Sequence, residues 1–590
     1  MKLPNLKTLL DIPNAKKISY VFFMPCVALS SVDQRRKTTR AIVSILNQSV
    51  PLCDLLVIAP PQILAQTKKL IDQCIKKYQP KDIKKTTDDL PLKKSKAATT
   101  HINSNSKADP CIRLYESPLD DLGSAMSLVS TRIQTEWVVF LDSGTQVAPS
   151  ATYQLTQAII QHPDSELIYA DHDVVDGGGA RSYPSFKPIF SLDLLYSQNY
   201  IGSFFAIKKQ NISKIKLITN DHFSNYTFDL ILSLVENLIK RSRANLRQLT
   251  SKIIHLPVVL HSENKQKRTT AKIREINDKQ LESLKNHFSN CYENVSCSQI
   301  KPFLFRHKWS LEPNEPLVSL IIPTKNGYDI LKACIISIIE KTTYKNYEII
   351  IIDNQTTDVK TLKYLNKIAS RYSFIKIIKY DKPFNYSDIN NIAVKQAKGQ
   401  ILGFLNNDIE VITPAWLTEM VSHAVRPDIG CVGAMHYYPD MHIQHAGVIV
   451  GMNGVADHAF KDQIKSSHTK AASYLYSIRN PDAVTAATLV VKRELFDLVG
   501  GFDSEHLKIA FNDVDLCLKI AAKGYRCLWT PYAELIHYES KTRNLEGPDN
   551  DSQQIELYEH RVMKERWMTG LYPQRDLLRS INLFETAFHE

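Results

Sequence analysis

One order of short apolar runs occurs twice along this chain, and few folds accommodate such a pattern. Ser19 to Met24 is closed by Pro25 and Val318 to Ile322 by Pro323; each run is β-rich and leads into a helical pattern. A second run follows in each half (Leu55 to Ile58; Glu348 to Ile352), then a third, Trp137-Val138-Val139-Phe140-Leu141 against Ile401-Leu402-Gly403-Phe404-Leu405. Each third run ends in a polar turn. Later, Phe228-Asp229-Leu230-Ile231-Leu232 parallels Val514-Asp515-Leu516-Cys517-Leu518, and Val259-Leu260-His261 parallels Leu535-Ile536-His537. Strands alternating with helices of ordinary length form βαβ units, whose crossovers demand parallel pairing. The prediction is an α/β protein of two tandem domains, each around a mostly parallel sheet.

A chain of 590 residues is also too long for a single core. The expected organisation is a first domain over 1–261, a polar linker over 262–316, a second domain over 317–545 and a helical tail over 546–590, whose mixed-charge spacing from Ser552 to Arg566 suits packing across the second domain. Much of the excess behind the net charge of +12 sits in Lys76 to Lys96, where eight lysines face three aspartates, part of a Lys-, Thr- and Asn-rich stretch over 76–109 that has the composition of a flexible insertion. No RNA-binding or helix-turn-helix signature accompanies the charge, so a nucleic-acid partner is not predicted. Peripheral attachment to an anionic membrane face is compatible with it. No window reaches the roughly 18 consecutive apolar residues of a spanning helix, and Met1 to Tyr20 lacks a signal-peptide core, so the expected location is the cytoplasm. Ten scattered cysteines without a Cys-x-x-Cys pair argue for reduced thiols rather than a disulfide framework or a cysteine-based zinc site.

Open α/β sheets bind ligands beyond the carboxyl ends of their strands, so polar residues that follow buried runs are the first candidates for chemistry. Asp353 follows Glu348 to Ile352 and can accept hydrogen bonds from a nucleobase or ribose, although an Asx turn accounts for it equally well. Asp408 ends Leu405-Asn406-Asn407-Asp408, and one or two carboxylates with substrate phosphates suffice for Mg2+ or Mn2+. His537, at the end of Glu534-Leu535-Ile536-His537, can add an imidazole nitrogen. The run Gly500-Gly501-Phe502-Asp503, followed by Asn512-Asp513-Val514-Asp515, places carboxylates at a helix entrance, where Asp513 can serve as a general base or complement the helix dipole.

In that order, these motifs resemble a known family. Val318 to about Arg543 is similar to the family 2 glycosyltransferases of GT-A fold, nucleotide-sugar enzymes of bacterial surface-polysaccharide assembly. The resemblance implies that Pro323, Thr324, Asp353 and Asn407 contact the donor nucleotide, that Asp408 and His537 hold a divalent cation (Mg or Mn), and that Asp513 is the base for inversion. His445, in Gln444-His445-Ala446-Gly447, is placed with Asp503 and Asn512 near the acceptor side of the cleft. Two departures stand out: Asn406 occupies the place of the first Asp of a D-x-D motif, and Asn512 that of a Glu. The implied partners are a nucleotide-sugar donor and a glycan or lipid-linked glycan acceptor.

The first half resembles the same family over about Ser19 to His261, with poorer chemistry. Ala59 stands for Asp353, Gly144 for Asp408 and Thr227 for Asp513, and none of these side chains can replace a carboxylate. A first domain kept for binding is therefore expected. The retained Asp142, Asp171, Asp173 and His261 leave open a bifunctional polymerising enzyme with displaced ligands, and a non-enzymatic carbohydrate-binding scaffold is the rival from another class. A glycosidase is disfavoured by the ordered nucleotide-site motifs.

Overall fold

The computed structural model describes residues 18–49, 54–77, 100–102, 111–117, 122–214, 226–242, 247–264, 269–311, 313, 315–465, 470–538 and 550–569. Most of the basic insertion over 76–109, and the chain after residue 569, lie outside them. The chain divides into two compact units, one of Met1–Phe190, Asn199–Arg243 and Gln248–Cys291, the other of Ser191–Gln198, Ala244–Arg247 and Tyr292–Glu590.

In the second unit one sheet runs in the order Ile375–Lys379, Tyr347–Asp353, Val318–Thr324, Ile401–Leu405, Thr488–Lys492, Ile429–Tyr437, Arg526–His537, Ile409–Val411. Its first four strands are mutually parallel, and Thr488–Lys492 enters antiparallel to Ile401–Leu405. Alternate side chains go to opposite faces. Ile321, Ile350, Ile352, Leu402 and Phe404 join one buried cluster, whereas Leu320, Ile322, Ile349, Ile351 and Leu405 join another. Burial on both faces is why these runs are continuously apolar rather than alternating.

The first unit repeats this order strand for strand: Cys111–Glu116, Asp54–Ala59, Ile18–Phe23, Trp137–Leu141, Phe205–Lys208, Leu167–Val175, Ile253–Asn264, Gln146–Val147, with Thr100–Ile102 added at one edge. The pairings equate Ala59 with Asp353 and Gly144 with Asp408, but they correct the match at the last strand. Val147 pairs with His261, and its counterpart Val411 pairs with Leu535. Glu263, not His261, therefore stands at the place of His537. Register irregularities between Leu256 and His261 displace the strand relative to a simple reading of its sequence.

The stretch expected to link the halves is built into them. Helix Thr270–Cys291 belongs to the first unit and buries Ile276, Leu284 and Phe288, and the hairpin Val295–Lys301/Leu304–Trp309 belongs to the second. Its polar composition concealed these narrow apolar faces. Conversely, helix Leu192–Ser197, from the first half of the sequence, belongs to the second unit. Helix Asn550–Trp567 buries Met563 in the second unit's core. No described helix is long and apolar enough to cross a membrane.

Candidate active site

At the carboxyl end of Ile401–Leu405 the chain turns through Asn406-Asn407-Asp408 and pairs back as Ile409–Val411 against the end of Arg526–His537. Ile409 faces His537 across that ladder, and Tyr538 N donates to Asp408 O at 3.0 Å. Backbone pairing thus brings together two side chains far apart in sequence: His537 Nε2 lies 3.1 Å from Asp408 Oδ1 and 3.1 Å from Asn406 Nδ2.

The other ring nitrogen fixes the tautomer. Gln444 Nε2 donates to His537 O at 3.3 Å, which turns Gln444 Oε1 towards His537 Nδ1 at 2.5 Å. Nδ1 then carries a hydrogen, and in the neutral ring the single Nε2 lone pair faces both the Asn406 amide and the Asp408 carboxylate, open to either a hydrogen bond or a cation. Two acceptors facing one another fit a cation between them, and an imidazole oriented through its far nitrogen is a recurrent metal-ligand arrangement. The residues therefore suit a divalent cation, with Asp408 and His537 supplying oxygen and nitrogen.

Next to this turn, Asn407 Nδ2 donates to Thr324 Oγ1 at 3.0 Å, tying the turn to the end of Val318–Thr324. Thr324 is paired with Asp353 at the end of the next strand, and Pro323 precedes it. Asp353 is buried, with Oδ1 accepting from Thr356 N at 3.0 Å. The carboxylate thus caps the turn that follows it, through the N–H three residues on rather than the second-residue bond of an Asx turn, and is held at the sheet's mouth.

Asp513 lies in the first turn of helix Asn512–Ala522, after Phe511 at a left-handed φ of 56°. Its Oδ2 accepts from Ala486 N at 2.9 Å and its Oδ1 from Val514 N at 2.8 Å. Asn406 N donates to Ala487 O, on the neighbouring residue. The base candidate and the Asn406–Asp408 turn are accordingly fastened to one short segment, Ala486-Ala487, just before Thr488–Lys492. Burial pushes the Asp513 carboxyl above its ordinary value, although the two backbone N–H groups pull it down.

The acceptor-side candidates divide. His445 is fully buried, with Nδ1 2.7 Å from His458 Nδ1, and burial, then His458, holds its pKa well below the usual value. Partly exposed His458, not singled out from sequence, is the member of this pair that acts electrostatically on Asp513. Asp503 Oδ1 accepts from Glu505 N and His506 N, and its Oδ2 meets Arg566 Nη2 at 2.7 Å. Asn512 donates to Ile509 O. Both therefore brace the loop that leads to Asp513.

Two family descriptions match this unit: "Glycosyl transferase family 2" over residues 319–455 and "Glycosyl transferase family group 2" over residues 429–589. Residues 319–589 thus match glycosyltransferase family 2. It is similar to an uncharacterized protein of Sinorhizobium fredii, 36% identical over 442 residues, covering 73% of this chain and 47% of that protein. The O-antigen biosynthesis protein RfbC of Myxococcus xanthus is 32% identical over 421 residues, covering 70% of this chain and 32% of RfbC. The chain thus spans less than half the length of either. A shorter likeness, 37% over 109 residues, joins it to WfaP of Escherichia coli, a UDP-Glc:alpha-D-GlcNAc-diphosphoundecaprenol beta-1,3-glucosyltransferase, covering 18% of this chain and 40% of WfaP.

Proposed function

We propose that the second unit moves a sugar from a nucleoside-diphosphate donor to a hydroxyl of a glycan or lipid-linked glycan, with inversion at the anomeric carbon, in the assembly of a surface polysaccharide. The observation that carries this reading is the common attachment of Asp513 and the Asn406–Asp408 turn to Ala486-Ala487. A proton acceptor and a phosphate-binding corner on one segment suit displacement at a carbon between them. The relatives named for O-antigen biosynthesis and for glucosyl transfer to a diphosphoundecaprenol-linked sugar support the acceptor class.

In this reading Asp353 accepts from the donor's nucleoside, and Pro323, Thr324 and Asn407 shape the floor beneath it. Asp408 and His537 would hold Mg2+ or Mn2+, which when bound neutralises charge on the leaving diphosphate. Asp513 takes the proton of the acceptor hydroxyl as its oxygen bonds to the anomeric carbon from the face opposite the departing diphosphate. A carboxyl with a raised pKa retains the proton better than an ordinary aspartate.

Asp513→Asn is the test. Loss of general-base assistance should lower kcat by about 10² to 10⁴ without a comparable change in KM for the donor, measured as nucleoside diphosphate release. The acid limb of the wild-type pH profile should lie above the ordinary aspartate value near 3.9 and disappear in the variant, because activity requires the ionised form. Undiminished transfer by this variant would overturn the assignment.

A further inference from the structure

We propose that the first unit carries a metal site of its own, a nitrogen-rich site for a zinc-class divalent cation formed by His172, His261 and Glu263. One ligand atom from each lies within 4.8 Å of the others. The backbone accounts for the convergence. His172 and His261 are partners on adjacent parallel strands, and Glu263 lies two residues beyond His261 on the same face.

The second observation is His261 itself. It is wholly buried, yet neither ring nitrogen makes a hydrogen bond. An imidazole taken from water without partners is costly, and a site of this kind calls for an explanation. Its ring centroid is 5.2 Å from that of His172. Two imidazoles bound at 2.0–2.1 Å to one tetrahedral ion have centroids roughly 5 Å apart, so the spacing matches a shared ion, while the rings, stacked at 29°, would turn their nitrogens towards it on binding. The donor set indicates the metal class: two imidazoles and one carboxylate favour zinc, cobalt or nickel over magnesium, and three protein ligands leave a position open.

This site differs from the one in the second unit. By strand register His172 stands at the place of His436, His261 at that of Leu535 and Glu263 at that of His537. At Gly144, the counterpart of Asp408, an added Cβ would lie 2.8 Å from Asn264 Nδ2. The carboxylate lost from the turn is replaced by one from the facing strand. The competing occupant is the buried ammonium of Lys187, whose Nζ donates to Ile201 O at 2.7 Å and interacts electrostatically with Glu263.

The experiment uses the full chain carrying Asp408→Asn, to silence the second unit's candidate site, after removal of metal with a chelator. Zn2+ should be retained at one equivalent per chain and raise the Tm, and Co2+ should develop visible d–d absorption at the same stoichiometry. Adding Glu263→Gln or His172→Gln should weaken Zn2+ by more than the roughly 10–100-fold that follows loss of a supporting outer contact. The metal-free Tm and circular dichroism of each variant establish that it folds, and partly exposed His172 is the safer substitution should the other perturb folding. Failure of the Asp408→Asn chain to retain Zn2+ would overturn the site and leave Lys187 as the sole cation there. Retention undiminished in a folded Glu263→Gln or His172→Gln variant would overturn the ligand assignment.

Discussion

At the residue scale, chemistry depends on which way an imidazole faces. The Gln444 amide decides which nitrogen of His537 meets Asp408. Gln444→Leu should therefore weaken Mn2+ binding by about 10–100-fold, with transfer rate restored at high Mn2+, as measured by metal titration. Asp408, His537 and Asp513 were legible in the sequence because each follows a recognisable run or opens a helix. Gln444 was not. Its segment drew notice to His445, but successive residues of a strand face opposite sides, and His445 turns inward while Gln444 turns to the site. His458 was hidden for another reason: its relation to Asp513 is purely tertiary.

Elements add the scaffold around those residues. The helical spacing of the tail was visible in sequence, but not its attachment. Glu559, a charged residue in a charged helix, is wholly buried and accepts from Lys508 N, Ile509 N and Ala510 N at 2.6, 2.9 and 2.7 Å. Seven residues on, Arg566 bridges Asp503 and Asp515. Together they hold the loop that delivers Asp513. Nothing in a one-dimensional pattern marks a glutamate as the acceptor for three distant backbone donors. Glu559→Ala should cost about 2–3 kcal/mol in urea unfolding, because those donors lose a charged partner. It should also raise KM for the acceptor more than for the nucleotide sugar, since Asp353 and its turn are elsewhere on the sheet.

For the whole molecule, the twofold order of runs foretold two sheets of one design, and the strand orders agree position by position. What it could not foretell is the exchange of helix Leu192–Ser197. In the second unit Asp193 meets Arg426 at 2.6 Å and Arg526 at 2.5 Å, with Asp428 bonded to both guanidiniums. Burial alone would raise the Asp193 pKa, but the two guanidiniums hold it well below the ordinary carboxylate range. Asp193→Ala should destabilise the second unit by about 3–5 kcal/mol, the cost of uncompensated buried charge, as read by urea unfolding. The sign with pH follows. A depressed carboxylate contributes stability that is complete above its unfolded pKa near 3.9 and lost as pH falls through the lower folded value, so acid should erase the difference between wild type and Asp193→Ala.

That borrowed helix also limits how such a chain can be divided or recombined. A graft junction anywhere between residues 199 and 291 would carry away the core's aspartate with the wrong parent and leave two guanidiniums to whatever residue the other parent supplied. A chimera that joined halves from two parents would need a matching acid at that spot, or Asp428 alone would be left to face both guanidiniums.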